Sequence, residues 1–242
     1  MNDTSRPSNM FMSWRDLTLS PLVLIGTNGA AVFAAWKVHQ QFHFGLFAGV
    51  LTYGAANVIL TVAFLRTLVA LVGFKDGRYD RIEHPWTFYF FNLHSLVLTT
   101  NLYPFYENIL FVPSTFRKWL YKLLGSKMGE GLILIAGEIH DPCLVAVESD
   151  VIVGTGALIF GHFYTAKREL RLGSVLIRRG ALIGVNAVIS PGCVVGENAS
   201  VTPGSILAPE TVIPAGEVWS GNPAQKNLKL SPRNPSDPND PL

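Results

Sequence analysis

Hydrophobic and polar positions divide the chain into three regimes. Leu17 to Trp36 and Phe44 to Leu65 carry no charged residue. Each run has roughly the 20 residues a helix needs to cross the hydrocarbon core of a bilayer. Asn28 and Gly29 weaken the first run, and Lys37, His39 and His43 separate the two. Two such runs with a short turn predict a transmembrane helical hairpin, because lipid obliges backbone groups to bond within the segment. The alternative is a pair of core helices in a soluble domain. The second regime, Trp86 to Tyr106, is apolar and aromatic but holds Asn92, His94 and Asn101. It fits an interfacial segment, a re-entrant piece or the floor of a lipid-facing site. Ser114 or Thr115 then caps a short helix ending near Gly125. Phe116, Trp119, Leu120, Leu123 and Leu124 supply it with apolar contacts, and Arg117, Lys118 and Lys122 with positive charge. That is the pattern of a helix lying on an anionic membrane surface. A helix capping the open end of the next domain is the other reading, and the two are compatible.

The third regime has a period of six. Taken every sixth residue from Ile135 to Trp219, eleven of fifteen positions are Ile, Val or Leu, the exceptions being Asp141, Thr165, Arg171 and Trp219. A second series four positions later in each hexad is small: Ala157, Ala181, Ala187, Cys193, Ala199, Ser205 and Thr211. Gly154, Gly184 and Gly196 directly follow first-series residues. Neither a helix, with a period near 3.6, nor a lone strand, with a period near 2, explains this spacing. A three-sided coil does: each short strand forms a wall, each glycine or polar residue a corner, and stacked coils pair in parallel. Fifteen hexads would give five coils. Thr165 to Leu176 would place Glu169 and Arg171 inward, where an unpaired charge costs several kcal/mol. About ten residues there are therefore expected to leave the coil as an arm, register resuming at Ile177 and the count falling towards four.

Composition sharpens the picture only in part. Mean hydropathy is +0.31 and 15% of residues are charged, apolar for a soluble protein. A net charge of +2 gives no sign of a nucleic-acid partner. Cys143 and Cys193 form no CxxC, which argues against a disulfide scaffold and a thiolate zinc site. The first apolar run has no small-residue cleavage site, so no signal peptide is expected. Arg6 and Arg15 precede the hairpin, and Arg66, Lys75, Arg78 and Arg81 follow it, with Lys37 in the turn. The positive-inside rule places both ends in the cytoplasm. The expected organisation is a tail and transmembrane hairpin over 1–82 and a membrane-interfacial helical segment over 83–130. A β-helix domain over 131–228 and a disordered proline-rich tail over 229–242 follow.

Within Asp141 to Lys226 the chain resembles the hexapeptide-repeat acyltransferases, which include sugar O-acetyltransferases and xenobiotic acetyltransferases. The resemblance is carried by Gly161-His162-Phe163, a polar arm and Gly173-Ser174-Val175-Leu176-Ile177. Ala181 to Gly184, Ala187 to Gly192 and the closing Gly221-Asn222-Pro223-Ala224 continue it. It implies a mainly β chain: a left-handed parallel β-helix, preceded here by an α-helical membrane region. The left hand comes from the family, since ordinary crossovers favour the opposite one. It also implies acyl transfer from acetyl-CoA or another acyl-CoA. His162, at a hexad corner beside the arm, would be the general base. Histidine suits that role because its ordinary pKa lies near working pH.

Coenzyme A would then lie along a groove ending near the last coil. Gly221, Asn222, Pro223 and Ala224 would line its pantetheine arm, with Lys226 near a phosphate. Arg178 and Arg179, at a corner, either meet those phosphates or an anionic acceptor, or form a solvated corner. His140, in Glu138-Ile139-His140-Asp141-Pro142, is the second catalytic candidate, its alternative being a capping or hydrogen-bonding role. Trp219 reads as a core cap and Cys193 as an inert inward residue. Family members are trimers with a cleft between subunits, so a homotrimer is expected. The protein would sit in the membrane, the inner membrane of a bacterium, with the catalytic domain cytoplasmic. The acceptor would be lipid-linked or a saccharide, such as a glycolipid or surface-polysaccharide precursor. No metal is expected: a γ-type carbonic anhydrase on this fold needs three histidines, and the repeat has only His140 and His162. An N-acyltransferase is an alternative, since a membrane-tethered hexapeptide domain also resembles the terminal domain of polylysine synthetases, which makes amide bonds. A non-catalytic membrane scaffold is another.

Overall fold

The computed structural model describes residues 14–43, 45–102 and 114–227. The proline-rich tail, Tyr103 to Tyr106 and the side chains of Ser114 and Thr115 lie outside the described residues. Helices α1 (Trp14–Phe42) and α2 (Leu46–Val72) are joined by a short turn and packed together. Both are long and apolar enough to cross a membrane. Helix α3 (Pro85–Asn101) returns along them, its start tied to that of α1. There the Arg15 guanidinium lies 4.2 Å from the Trp86 ring centroid, and Arg81 pairs with Asp16 at 3.6 Å.

Apolar helices leave polar side chains without water, so these pair with one another. Asn28 Nδ2 donates to Asn101 Oδ1 (3.1 Å), while Tyr53 (2.8 Å) and Asn57 (2.9 Å) donate to Asn28 Oδ1. Asn101 Nδ2 donates in turn to Thr61 Oγ1 (3.0 Å) and Thr27 Oγ1 (3.3 Å). The network fixes the end of α3 between the middles of α1 and α2.

From Lys127 the chain winds into a parallel β-helix of three walls, the stacked coil that the six-residue repeat leads one to expect. One wall stacks Lys127–Met128, Val145–Val147, Val175–Ile177, Val194–Val195 and Val212–Ile213. The second stacks Leu134–Ile135, Ile152–Val153, Leu182–Ile183, Ser200–Val201 and Val218–Gly221. The third stacks Glu138–Ile139, Leu158–Ile159, Val188–Ile189 and Ile206–Leu207. In the regular coils the second residue of each pair points inward. Ile135, Ile159, Ile177, Ile183, Ile189, Val195 and Leu207 are fully buried. Each such side chain contributes roughly 1.5–3 kcal/mol of burial. The small series lies inside too, from Ala157 to Cys193 and Ala199.

Corners need left-handed backbone. Asp150, Gly156, Gly180, Asn186, Gly192, Asn198, Gly204, Glu210 and Gly216 all have φ between +54° and +77°. They recur at multiples of six and are mostly Gly or Asn, the residues that tolerate this region best.

Two expectations need correction. The coil count does fall towards four, with four complete coils and two walls of a fifth, but the first coil is irregular: it begins at Lys127, and its inward residues Met128, Ile135 and Ile139 are spaced seven and four apart. Ile139, not Asp141, therefore fills the third wall. The excursion also starts earlier than Thr165 and ends sooner than Leu176. The strands His162–Tyr164 and Leu170–Leu172 form an antiparallel hairpin. The chain leaves the coil at Gly161 and returns at Gly173, whose N–H donates to Gly161 O (2.8 Å). Gly77–Tyr79, just after α2, adds a third strand to the hairpin. Asp76 Oδ1 accepts from the Ser174 N–H (2.9 Å) and hydroxyl (2.7 Å), locking that connection.

Helix α4 (Ser114–Leu123) caps the first coil. Arg117 donates to Gly137 O (3.0 Å), Lys118 to Gly131 O (3.0 Å), and the Ile139 N–H to Tyr121 Oη (3.1 Å). Arg117 and Lys118 are buried, so their charge is spent on coil carbonyls, while Lys122 stays exposed.

Gly184 tests the stacking. A β-carbon there would stand 2.4 Å from the Pro203 backbone N of the next coil. Gly184→Ala is expected to cost about 1–3 kcal/mol through overpacking, read as a lowered midpoint of thermal unfolding in detergent.

Candidate active site

His162 opens the hairpin, at the edge where the third wall turns towards the first. Its Nδ1 lies 2.7 Å from Asp141 Oδ2, which also accepts the Gly161 N–H at 2.8 Å. The Asp141 side chain is 1% exposed and that of His162 24%. A carboxylate cannot donate, so in the neutral ring Nδ1 carries the proton and Nε2 presents its lone pair. Gly161 permits this approach: a β-carbon there would come within 2.6 Å of Leu144 Cβ.

Asp141 escaped the sequence reading because it occupies a first-series position in the six-residue count. The short spacing of the first coil moves Ile139 into the core and turns Asp141 to the corner. The available signal was a carboxylate in a series otherwise aliphatic at that end of the repeat.

Helix α3 forms the other side of the site. The Phe91 ring stands edge-on to His162 with centroids 4.9 Å apart. Tyr164 donates to Asn92 Oδ1, joining hairpin to helix, and burial pushes its phenol pKa up. His94 packs against Phe91 and Phe74. Phe91, Leu144, Leu170 and Leu172 close the base of the site as a small apolar cluster.

The remaining candidates are dispersed. His140 Nε2 lies 3.3 Å from Glu138 Oε2 on the outer face of the third wall. Gly221 to Ala224 form a tight turn between the last two strands, which pair antiparallel. This turn lies three rungs beyond the rung leading to His162, roughly 14 Å at ordinary strand spacing. Lys226 pairs with Glu217 Oε1 (2.6 Å), and Trp219 Nε1 donates to Glu217 Oε2 (2.9 Å). Arg178 is exposed, and Arg179 lines a groove of about 800 Å³ over the first wall with Lys122, Lys127, Glu148 and Glu197. That groove includes neither His162 nor the closing turn. Among the described residues, no group of three or more His, Cys, Asp or Glu side chains gathers as a metal site.

Fold and site together define a β-helix with a carboxylate-oriented imidazole at its edge, an arrangement suited to taking a proton from a group bound outside the coil. No protein-family model matches the chain. It is similar to delta-poly-L-ornithine synthetase of Acinetobacter baumannii (strain AB307-0294), with 29% identity over 174 residues. The match covers 71% of this chain but 12% of that protein. Solved structures with partial likeness include a maltose O-acetyltransferase from Clostridium difficile 630, at 14% identity and TM-score 0.42, covering 73% of this chain and 88% of that one. Another is a hexapeptide-repeat acetyltransferase from Vibrio cholerae O1 biovar eltor complexed with acetyl coenzyme A, at 20% identity and TM-score 0.40, covering 46% and 62%.

Neither cysteine is activated. Burial and the nearby Asp141 charge push the Cys143 thiol up to about 12, and burial raises that of Cys193. Both should resist iodoacetamide at pH 8 in the folded protein and react once it is denatured, as peptide mass spectrometry would show.

Proposed function

We propose that the chain is a membrane-anchored acyltransferase that moves an acyl group from acyl-coenzyme A to a membrane-proximal acceptor. The observation that carries this reading is the Asp141–His162 pair, in which the buried carboxylate holds the imidazole through Nδ1 and leaves the other ring nitrogen for a substrate. The acceptor is a hydroxyl, as on a glycolipid or surface-polysaccharide precursor. Helices α1 and α2 anchor the protein, and the basic residues flanking them favour a cytoplasmic β-helix, where acyl-coenzyme A is found.

In this mechanism, Nε2 takes the acceptor proton while the acceptor oxygen bonds to the thioester carbonyl carbon. The tetrahedral intermediate collapses with loss of the C–S bond, and the proton passes from His162 to the leaving sulfur. Asp141 keeps Nδ1 protonated, fixes the ring and stabilises the imidazolium between the two transfers. Transfer is direct, without an acyl-enzyme, because neither thiol is available as thiolate. The closing turn at Gly221 to Ala224, with Lys226 and Arg178, is assigned to the donor. Lys226 would have to exchange Glu217 for a phosphate.

The likeness to delta-poly-L-ornithine synthetase supports a second reading, amide formation on an amine acceptor. The same base serves an amine, so the reacting nucleophile distinguishes the two.

Coenzyme A release from acetyl-CoA, measured with native membranes as acceptor source, tests the assignment. His162→Ala should lose roughly 10²–10⁴-fold in rate. Asp141→Asn should lose activity while keeping the fold; an unchanged rate in His162→Ala would remove His162 from the mechanism.

The reading also makes the protein a homotrimer, with the cleft for donor and acceptor between neighbours. Mass measured in detergent should be that of three chains, and a fully active monomer would refute it.

A further inference from the structure

Two independent rulers measure how far His162 stands from the membrane. The first is the strand register. Gly77 pairs with Leu172, and Leu172 pairs with His162. Two strand spacings, about 10 Å, therefore separate the histidine from Gly77. Gly77 follows the end of α2 by only five residues. The second ruler is α3. Its Asn101 bonds Asn28 and Thr61 in the interiors of α1 and α2, and Phe91 lies ten residues towards its start. At 1.5 Å per residue, Phe91 stands about 15 Å above the Asn101 level, half the thickness of a hydrocarbon core. The His162 ring touches Phe91 at 4.9 Å.

Helix α4 sits at the same boundary. Gly125, just beyond it, lies against Arg66, the first charged residue of α2, 3.6 Å from where a β-carbon would stand. With Arg117, Lys118 and Tyr121 engaged on the coil, α4 exposes Phe116, Trp119 and Leu123, each 57–62% accessible. An exposed apolar stripe containing Trp beside Lys122 has the composition of a helix seated among headgroups.

We propose that His162 works within the headgroup layer, so that the acceptor is a membrane amphiphile whose reacting hydroxyl or amine lies in that layer. This rests on the acyltransferase reading and narrows its substrate class. The reacting group belongs to the lipid headgroup itself or to the sugar or amine joined directly to it, not to the distal units of a long saccharide. Phe91, Asn92 and Tyr164 form the wall it would meet.

The test uses the full chain in nanodiscs of phosphatidylethanolamine and phosphatidylglycerol. Nitroxides are placed at Arg78→Cys, beside the hairpin, at Trp119→Cys, and at Val212→Cys on the far coil. Collisions with a water-soluble nickel chelate should be several-fold rarer at 78 and 119 than at 212, with oxygen collisions higher. Equal nickel access at all three positions overturns the depth. In parallel, acetyl-labelled acetyl-CoA is supplied with native membrane lipid or with the water-soluble saccharide fraction. Label should enter the chloroform phase. Exposed labels with transfer to saccharide would overturn this inference and keep the acyltransferase. Protected labels with no transfer to either fraction would keep the depth but overturn the substrate assignment and the acyltransferase reading together.

Discussion

Each coil of this protein is held by the coil beneath it. Strands of two or three residues are too short to stand alone, and a chain of them gains order only when every one pairs in parallel with its equivalent a turn away. That condition fixes the rest. Inward positions must fall on inward positions, so aliphatic residues stack on aliphatic residues along each wall. Corners must turn in left-handed backbone at regular intervals, so Gly and Asn recur there. Where coil meets coil most closely, even a methyl group has no room, as at Gly184 above Pro203. A repeat constrained this tightly tolerates departure only where the chain leaves the stack or has not yet entered it, and the candidate site lies at the junction of two such departures.

One departure is the first coil. Its wall spacings of seven and four residues, from Met128 to Ile135 to Ile139, compress the third side and release Asp141 to the corner. The other is the hairpin, which leaves the second coil at Gly161. The two irregularities are stacked, so the released carboxylate lies under the first residues of the hairpin and accepts both the Gly161 N–H and the His162 ring proton. A buried carboxylate costs several kcal/mol unless its charge is answered by donors. Both donors fall on Oδ2, and they orient the imidazole by the same bonds that stabilise that oxygen, while the buried Oδ1 has no partner among the described residues. The geometry of the site is thus a consequence of where the repeat fails.

This explains which parts of the structure could be read in the sequence. The coils from Ile177 to Ile213 follow the six-residue period without error, and so does the presence of an arm near Thr165. Helices α1 and α2 follow from uncharged length, and α4 ends close to Gly125 as the sequence leads one to expect. The first coil was hidden because its spacing is not six, and Asp141 was hidden with it, counted as a faulty core position. The direction of Arg117 and Lys118 was illegible for a different reason. Their positive charge fits lipid headgroups and carbonyl ends of a coil equally well, and only the packing of α4 on Gly131 and Gly137 decides between them. The contacts of α3 with the hairpin join residues some seventy positions apart, for which a single sequence carries no periodic signal.

Those long-range contacts couple the helical region to the imidazole mechanically. Helix α3 is held at one end by the Asn28–Asn57–Asn101 network and at the other by Arg15 on Trp86, and between them it presses Phe91 against His162. The segment leaving α2 grips the same hairpin from the opposite edge, through the Gly77–Leu172 pairing and through Asp76 on Ser174. The hairpin therefore has one foot in the coil and two supports from the helices. A β-helix cut free at Lys127 would keep the stacked walls but lose Phe91, Asn92 and the third strand. The imidazole would then be oriented by Asp141 alone, on a two-stranded hairpin of marginal stability. The helices are therefore part of the site's architecture, because the chain that runs out along α1 and back along α2 returns in α3 to brace the histidine.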